Sequence, residues 1–154
     1  MLVFRVAVVW VALCSAAIAS CTEGRVELRG EWGQARFNVE IADTAAERSL
    51  GLMNRENMAS AAGMLFLYEN PQTVNFWMQN TLIALDMIFV DEAGVVRRIH
   101  ENAIPLDRTA IPGGPDILAV LEINGGMSAL LGIDVGTTLR HPGLPQGLAA
   151  WPCE

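Results

Sequence analysis

The sequence predicts a mostly β domain, a small sandwich or partly open barrel decorated by one or two short helices. Three observations carry that expectation. Residues 34–41, QARFNVEI, alternate apolar and polar side chains with the period of a half-buried strand. Short apolar runs then recur between residues 64 and 123, each bounded by Gly, Pro, Asn or Asp. The segments with helix signals, 44–51 and 127–132, are brief.

The first twenty residues stand apart from this domain. One early cation, Arg5, precedes an apolar run from Val6 to Leu13, and small residues cluster from Ser15 to Ser20. That order reads as a secretory signal segment, and the run is shorter than the ~20 residues a membrane-spanning helix needs. Residues 1–20 are therefore expected to be a signal and residues 21–154 a single β-rich domain. Ala17-Ile18-Ala19 fits a small-residue cleavage site. Ile18-Ala19-Ser20-Cys21 also resembles a bacterial lipobox, in which Cys21 would carry lipid.

Cysteine arithmetic bears on that choice. Cys14 falls in the apolar run, which leaves Cys21 and Cys153 at the two ends of the domain. An exported protein with an even count favours a disulfide between them. So long a loop gives about 4–5 kcal/mol on the chain-entropy model. The expected location is periplasmic or secreted, with a membrane-anchored lipoprotein as the alternative.

Within the domain, Val26 and Leu28 mark a short strand, and Gly30 to Gly33 form the turn into the 34–41 strand. Ala35, Phe37, Val39 and Ile41 share one face of that strand. Thr44 and Glu47 have the spacing of a capping box, and Gly51 can end the helix they start. Met64–Tyr68, Val74–Met78 and Met87–Val90 read as strands, with Asn70-Pro71 as the turn between the first two. Residues 86–100 read as a hairpin with Gly94 at a positive-φ position. Leu118–Ile123 is a further strand, and MSALL (127–131) is a short helix closed by Gly132. Pro142, Pro145 and Pro152 make the tail irregular.

The stretches FNVEIADTAAERSLGLMNR (37–55), GMLFLYENP (63–71), FWMQNTLIALDMIFVDEAGVV (76–96), VLEINGG (120–126) and LGI (131–133) occur in order. Together they resemble the bacterial and archaeal family known as domain of unknown function 192, over roughly residues 25–140. The resemblance implies a compact β-rich domain, often exported, and leaves the activity open. Two positions depart from the family pattern. Gln79 stands where FWMKNT has lysine, and Ala84 stands where IPLD has proline.

Composition narrows the function. The formal charge is −7, and all ten basic residues are arginine. Nucleic acid is an unpromising partner, because phosphate binding rests on clustered cations. No nucleophile elbow, Walker loop, dinucleotide fingerprint or HExxH helix occurs, so no cofactor is expected. Metal binding is not expected either: there is no CxxC pair, and His100 and His141 stand far apart.

Candidate ligand-binding residues are Arg48, Trp77, Asn80, Thr81, Asp86 and Glu122. Phe76–Thr81 sets a large aromatic beside an amide and a hydroxyl, the mixture of apolar wall and fixed polar group found in small-molecule pockets. In the plainer reading, Phe76 and Met78 face the core while Asn80 and Thr81 satisfy a turn. Arg48 could clamp an oxyanion, or pair with Asp86 or Glu122. Asp86 and Glu122 interrupt apolar strands. Meeting in a cleft about 5–10 Å apart, they could hydrolyse an envelope saccharide. The methionines, Met53 to Met87, are spread as core filler, not clustered as soft-metal ligands. The best-supported expectation is an exported non-catalytic module that binds a small ligand or an envelope partner. A saccharide hydrolase and a purely structural scaffold are the alternatives.

Overall fold

The computed structural model describes residues 21–153; the expected signal segment, Cys14 included, lies outside them. Seven strands form one sheet: β1 Arg25–Gly30, β2 Gly33–Ala42, β3 Ala62–Phe76, β4 Leu85–Val90, β5 Val96–Ala103, β6 Ile111–Asn124 and β7 Thr138–Arg140. Helix α1, Ala45–Leu50, follows β2, and α2, Met127–Leu131, follows β6. The strand order is β5-β4-β6-β3-β2-β1-β7. All neighbours are antiparallel except β2 and β3, which α1 connects as a parallel crossover. Right-handed strand twist curls such a sheet. Here a Val95–Thr138 bridge joins the segment leading into β5 to β7. The protein is mostly β, and of the two architectures anticipated it takes the partly open barrel, with two short helices.

Two apolar cores lie on opposite faces of the central strands. Val26, Leu28, Phe37, Leu65, Ile88, Leu121 and Leu139 share the first, to which both ends of the sheet contribute. Met64, Phe66, Val74, Met78, Met87, Phe89 and Val120 form the second, together with Leu52 from the turn after α1. Alternation along β3 explains the division: 64 and 66 face one way and 65 the other.

Local chemistry sets the element ends. Thr44 accepts from the Glu47 N–H, and the Glu47 carboxylate accepts from the Thr44 N–H at 3.0 Å, so the anticipated capping box is complete. Gly94 turns the β4–β5 hairpin at φ 76°, as its position predicts. One expectation is corrected: Asn70-Pro71 does not separate two strands. β3 runs through both residues, and pairing jumps from Leu67–Ala119 to Gln72–Ile117, five steps on β3 against two on β6. The turn chemistry is accommodated as a large irregular bulge inside one long strand.

Cys21 and Cys153 are joined by a disulfide, with Cα atoms 5.5 Å apart. Among the described residues no helix is long and apolar enough to cross a membrane.

Candidate functional site

Helix α1 and the turn after it lie over the second core and leave a pocket of about 100 Å³. One wall is Arg48 to Met53. The floor is Phe66, Tyr68 and Glu122, and the far wall is Asn75, Phe76, Trp77 and Thr81. Phe76 is held edge-on between Phe66 and Phe89, with ring centroids 5.1 and 5.8 Å away. Trp77, half exposed, stands at the rim. Its loop is fixed from both sides. The Asn54 N–H donates to the Asn80 carbonyl at 2.8 Å, and the Met78 N–H donates to the Asp107 carbonyl at 2.8 Å. Asn54 and Asn80 both take the left-handed conformation, which asparagine tolerates better than other non-glycine residues.

Glu122 is the unusual residue here. It is 4% exposed and pairs with Met64 on one side and Met87 on the other. No described residue hydrogen-bonds its carboxyl, and burial alone pushes its pKa up to about 8. At neutral pH it is therefore an uncharged acid, able to donate as well as accept. Tyr68 lies close by. Burial raises its phenol above the ordinary value, and the nearby Glu122 carboxyl adds to the rise while the Arg48 charge opposes it.

Arg48 is half-buried, and its guanidinium sits 5.0 Å from the Tyr68 ring centroid. Its Nη1 donates to the carbonyls of Asp43 and Leu67, the latter at 2.8 Å. The anticipated pairing with Asp86 or Glu122 does not occur: the ion pairs among the described residues are Arg55–Glu40, Arg97–Asp91 and Arg140–Glu27. Nε and Nη2 of Arg48 carry no hydrogen bond to a described residue, so the cation is positioned by backbone and uncompensated by a carboxylate.

The six candidate residues divide. Arg48, Trp77, Thr81 and Glu122 line the pocket. Thr81 is buried, and its hydroxyl donates to the Gln79 carbonyl at 3.3 Å. Asn80 lies beside the pocket, with its amide 4.0 Å from the Met53 sulfur. Asp86 is elsewhere. It pairs in register with Ile123, while Glu122 pairs with Met87, so the two carboxyls leave the sheet on opposite faces. Fully buried, Asp86 accepts from the N–H groups of Asn102, Gly126 and Ser128 at 2.8, 2.8 and 2.7 Å. Its role is to tie the α2 entry and the end of β5 to β4. Asp86 and Glu122 therefore share neither the cleft nor the face that the two-carboxylate reading of this pair requires.

Sequence reasoning missed Tyr68 and the Leu50–Met53 turn. The available signal was alternation: Met64, Phe66 and Tyr68 must share a face once any one is assigned. The family departures are also placed. The Gln79 side-group oxygen accepts from Arg108 at 2.9 Å, away from the pocket wall. The Ala84 backbone carbonyl accepts from the Gly125 N–H at 2.9 Å, a bond proline would supply equally. A larger hollow of about 650 Å³ lies between Arg29–Glu31 and Asp134–Thr138, but among the described residues no buried ionisable group lines it. Among the described residues no group of three His, Cys, Asp or Glu side chains could hold a metal ion.

Fold and site together define a class: a single curled sheet whose crossover helix roofs a small pocket with a buried acid in its floor. The protein belongs to the DUF192 family, described as Uncharacterized ACR, whose model matches residues 26–141. A crystal structure of a protein of unknown function from Novosphingobium aromaticivorans DSM 12444 is similar at 44% identity and TM-score 0.74, over 75% of this chain and 83% of that one. A Sinorhizobium meliloti 1021 protein, provisionally described as a transcription regulator, is similar at 38% identity and TM-score 0.76, over 82% of this chain and 98% of that one. Comparison with curated proteins gives no match.

Proposed function

We propose that this protein is an exported, non-catalytic binding module that takes a small ligand in the pocket under α1. The observation that carries the reading is Glu122: a buried carboxyl with no hydrogen-bond partner among the described residues, facing a cavity also lined by Arg48, which pairs with no described carboxylate, and by the half-exposed Trp77 at its rim. Burying such a group without a hydrogen bond costs free energy, and a bound ligand would recover part of it. The cavity is well below the ~300–1,000 Å³ of drug-sized sites. The ligand, or the part that enters, therefore has few heavy atoms.

The Cys21–Cys153 bridge suits an oxidising compartment, periplasmic or extracellular, and agrees with a signal in residues 1–20. Lipid on Cys21 would consume the sulfur that the bridge uses. The regulator description of the S. meliloti relative does not transfer readily: this protein has no lysine and a charge of −7, a poor match to a phosphate backbone.

A thermal-shift screen of the oxidised protein against small anions, saccharides and metals tests the reading. A ligand at a hundred times its Kd should stabilise the fold by about 2.7 kcal/mol. Trp77→Ala should abolish that shift, and its unliganded midpoint, measured alongside, reads separately what the buried half of the indole contributes to stability. A shift that survives Trp77→Ala, or no shift from any class, counts against the pocket and directs the search to protein partners.

A further inference from the structure

We infer that the pocket's ligand presents a carboxylate, held by the free edge of the Arg48 guanidinium and by a hydrogen bond donated from Glu122; this rests on the binding-module reading above. Arg48 and Glu122 line one pocket, with Tyr68 within reach of the charge of each. α1 contributes Arg48, β3 contributes Tyr68, and β4 and the 77–81 loop contribute only Met87, Trp77 and Thr81. Glu47, on the same helix as Arg48, is engaged in the Thr44 cap, and Asp43 offers Arg48 its backbone carbonyl.

With Glu122 and Tyr68 both protonated, the pocket's net charge at neutral pH is that of Arg48. A cationic ligand would face that arginine and would have to ionise Glu122 against its burial. An anion meets donors: a planar N–H edge matched to carboxylate geometry, and an acid O–H. The apolar walls, Leu50, Leu52, Phe66 and Phe76, suit a short hydrocarbon stem behind the charged end.

The same geometry makes binding pH-dependent. A free carboxylate stays ionised from pH 6 to pH 9.5, so the group that changes is Glu122, near pH 8. Once ionised it loses its donor and sets a like charge against the ligand.

Isothermal titration calorimetry on the oxidised protein decides the matter. The probes are propionate, N-acetyl-alanine as a mimic of a peptide terminus, and their neutral amides propionamide and N-acetyl-alaninamide, each at pH 6 and pH 9.5. At least one acid is expected to bind at pH 6 about tenfold or more tighter than its amide. Its affinity should fall about tenfold by pH 9.5 in the wild type and stay level in Glu122→Gln. Arg48→Gln should lose the preference for acid over amide. Should that variant fail to fold, the Glu122→Gln pH profile still decides. Preference for propionate points to a free acid, and preference for N-acetyl-alanine to a peptide terminus; both support the assignment. Amides that bind as tightly as acids overturn the carboxylate and leave the binding module standing. Failure of all four probes overturns the assignment, and the module then rests on whether another ligand gives a Trp77-dependent thermal shift.

Discussion

Glu122 occupies a position that its neighbours, Met64 and Met87, mark as apolar. Its carboxyl titrates near pH 8 in the fold against an ordinary value of 4.5. The fold therefore favours the protonated form. The corresponding stability is fully present below pH 4.5 and is lost as pH rises toward 8, where the buried group must ionise or stay protonated at increasing cost. With ~1.4 kcal/mol for each pH step of that window, the penalty at pH 9 is roughly 3–5 kcal/mol. Glu122→Gln should remove it. Urea denaturation at pH 5 and pH 9 should show the variant and wild type converging at the lower pH and separating at the higher one, with the variant more stable. Parallel profiles would mean that Glu122 is solvated. Asp86, one register step away, is instead fully hydrogen-bonded: its side-chain oxygens accept from three backbone N–H groups. No pattern in β4 could separate the two roles in advance, because all six of its residues are buried and alternation leaves no trace.

At the scale of elements, α1 shows how local chemistry builds the site. Its capping box fixes where the helix starts, and Gly51 fixes where it stops. Gly51 has φ 48° and ψ −137°, a conformation essentially restricted to glycine, and a Cβ there would lie 3.3 Å from the Phe66 ring. Because Gly51 also lines the pocket, Gly51→Ala should cost about 1–3 kcal/mol and weaken ligand binding together. Chemical denaturation and the thermal-shift assay read the two effects separately. If stability is unchanged, the turn is less constrained than its dihedrals imply. The capping box, the 34–41 strand and the β4–β5 hairpin were legible because their signals span a few adjacent residues. β7 was not: it is three residues long and only Leu139 is fully buried, so pairing with β1 creates it. The single β3 was hidden for the same reason. Asn70-Pro71 carries turn chemistry locally, and only the partner strand, itself interrupted by Pro112 to Asp116, shows that the pairing resumes. In the site, the loop around Trp77 could be singled out by composition, but which side chains share a cavity is decided by long-range pairing.

Across the whole molecule, the irregular tail acts as a clasp on the curled sheet. Trp151 lies between the guanidinium groups of Arg29 and Arg140, 4.3 and 4.4 Å from its ring, and Arg140 pairs with Glu27 at 2.5 Å. The buried His141 Nε2 meets the Glu23 carbonyl at 2.7 Å, and burial lowers its pKa, which keeps the ring neutral as an Nε2–H donor. The Gln146 side chain ties the His141 and Leu144 carbonyls to the Cys153 N–H. These contacts bring Cys153 beside Cys21 and close a loop of 132 residues in sequence separation. Because the noncovalent clasp already holds the ends together, the bridge acts mainly on the unfolded state. Cys153→Ser should therefore lower stability by about 2–5 kcal/mol in urea denaturation. The pocket, formed by α1, β3, β6 and the loop after β3, should keep its affinity under conditions where the variant is folded. If the variant stays folded but loses binding, the clasp is coupled to the pocket through the curl of the sheet, and oxidation state would then govern ligand capture as well as stability.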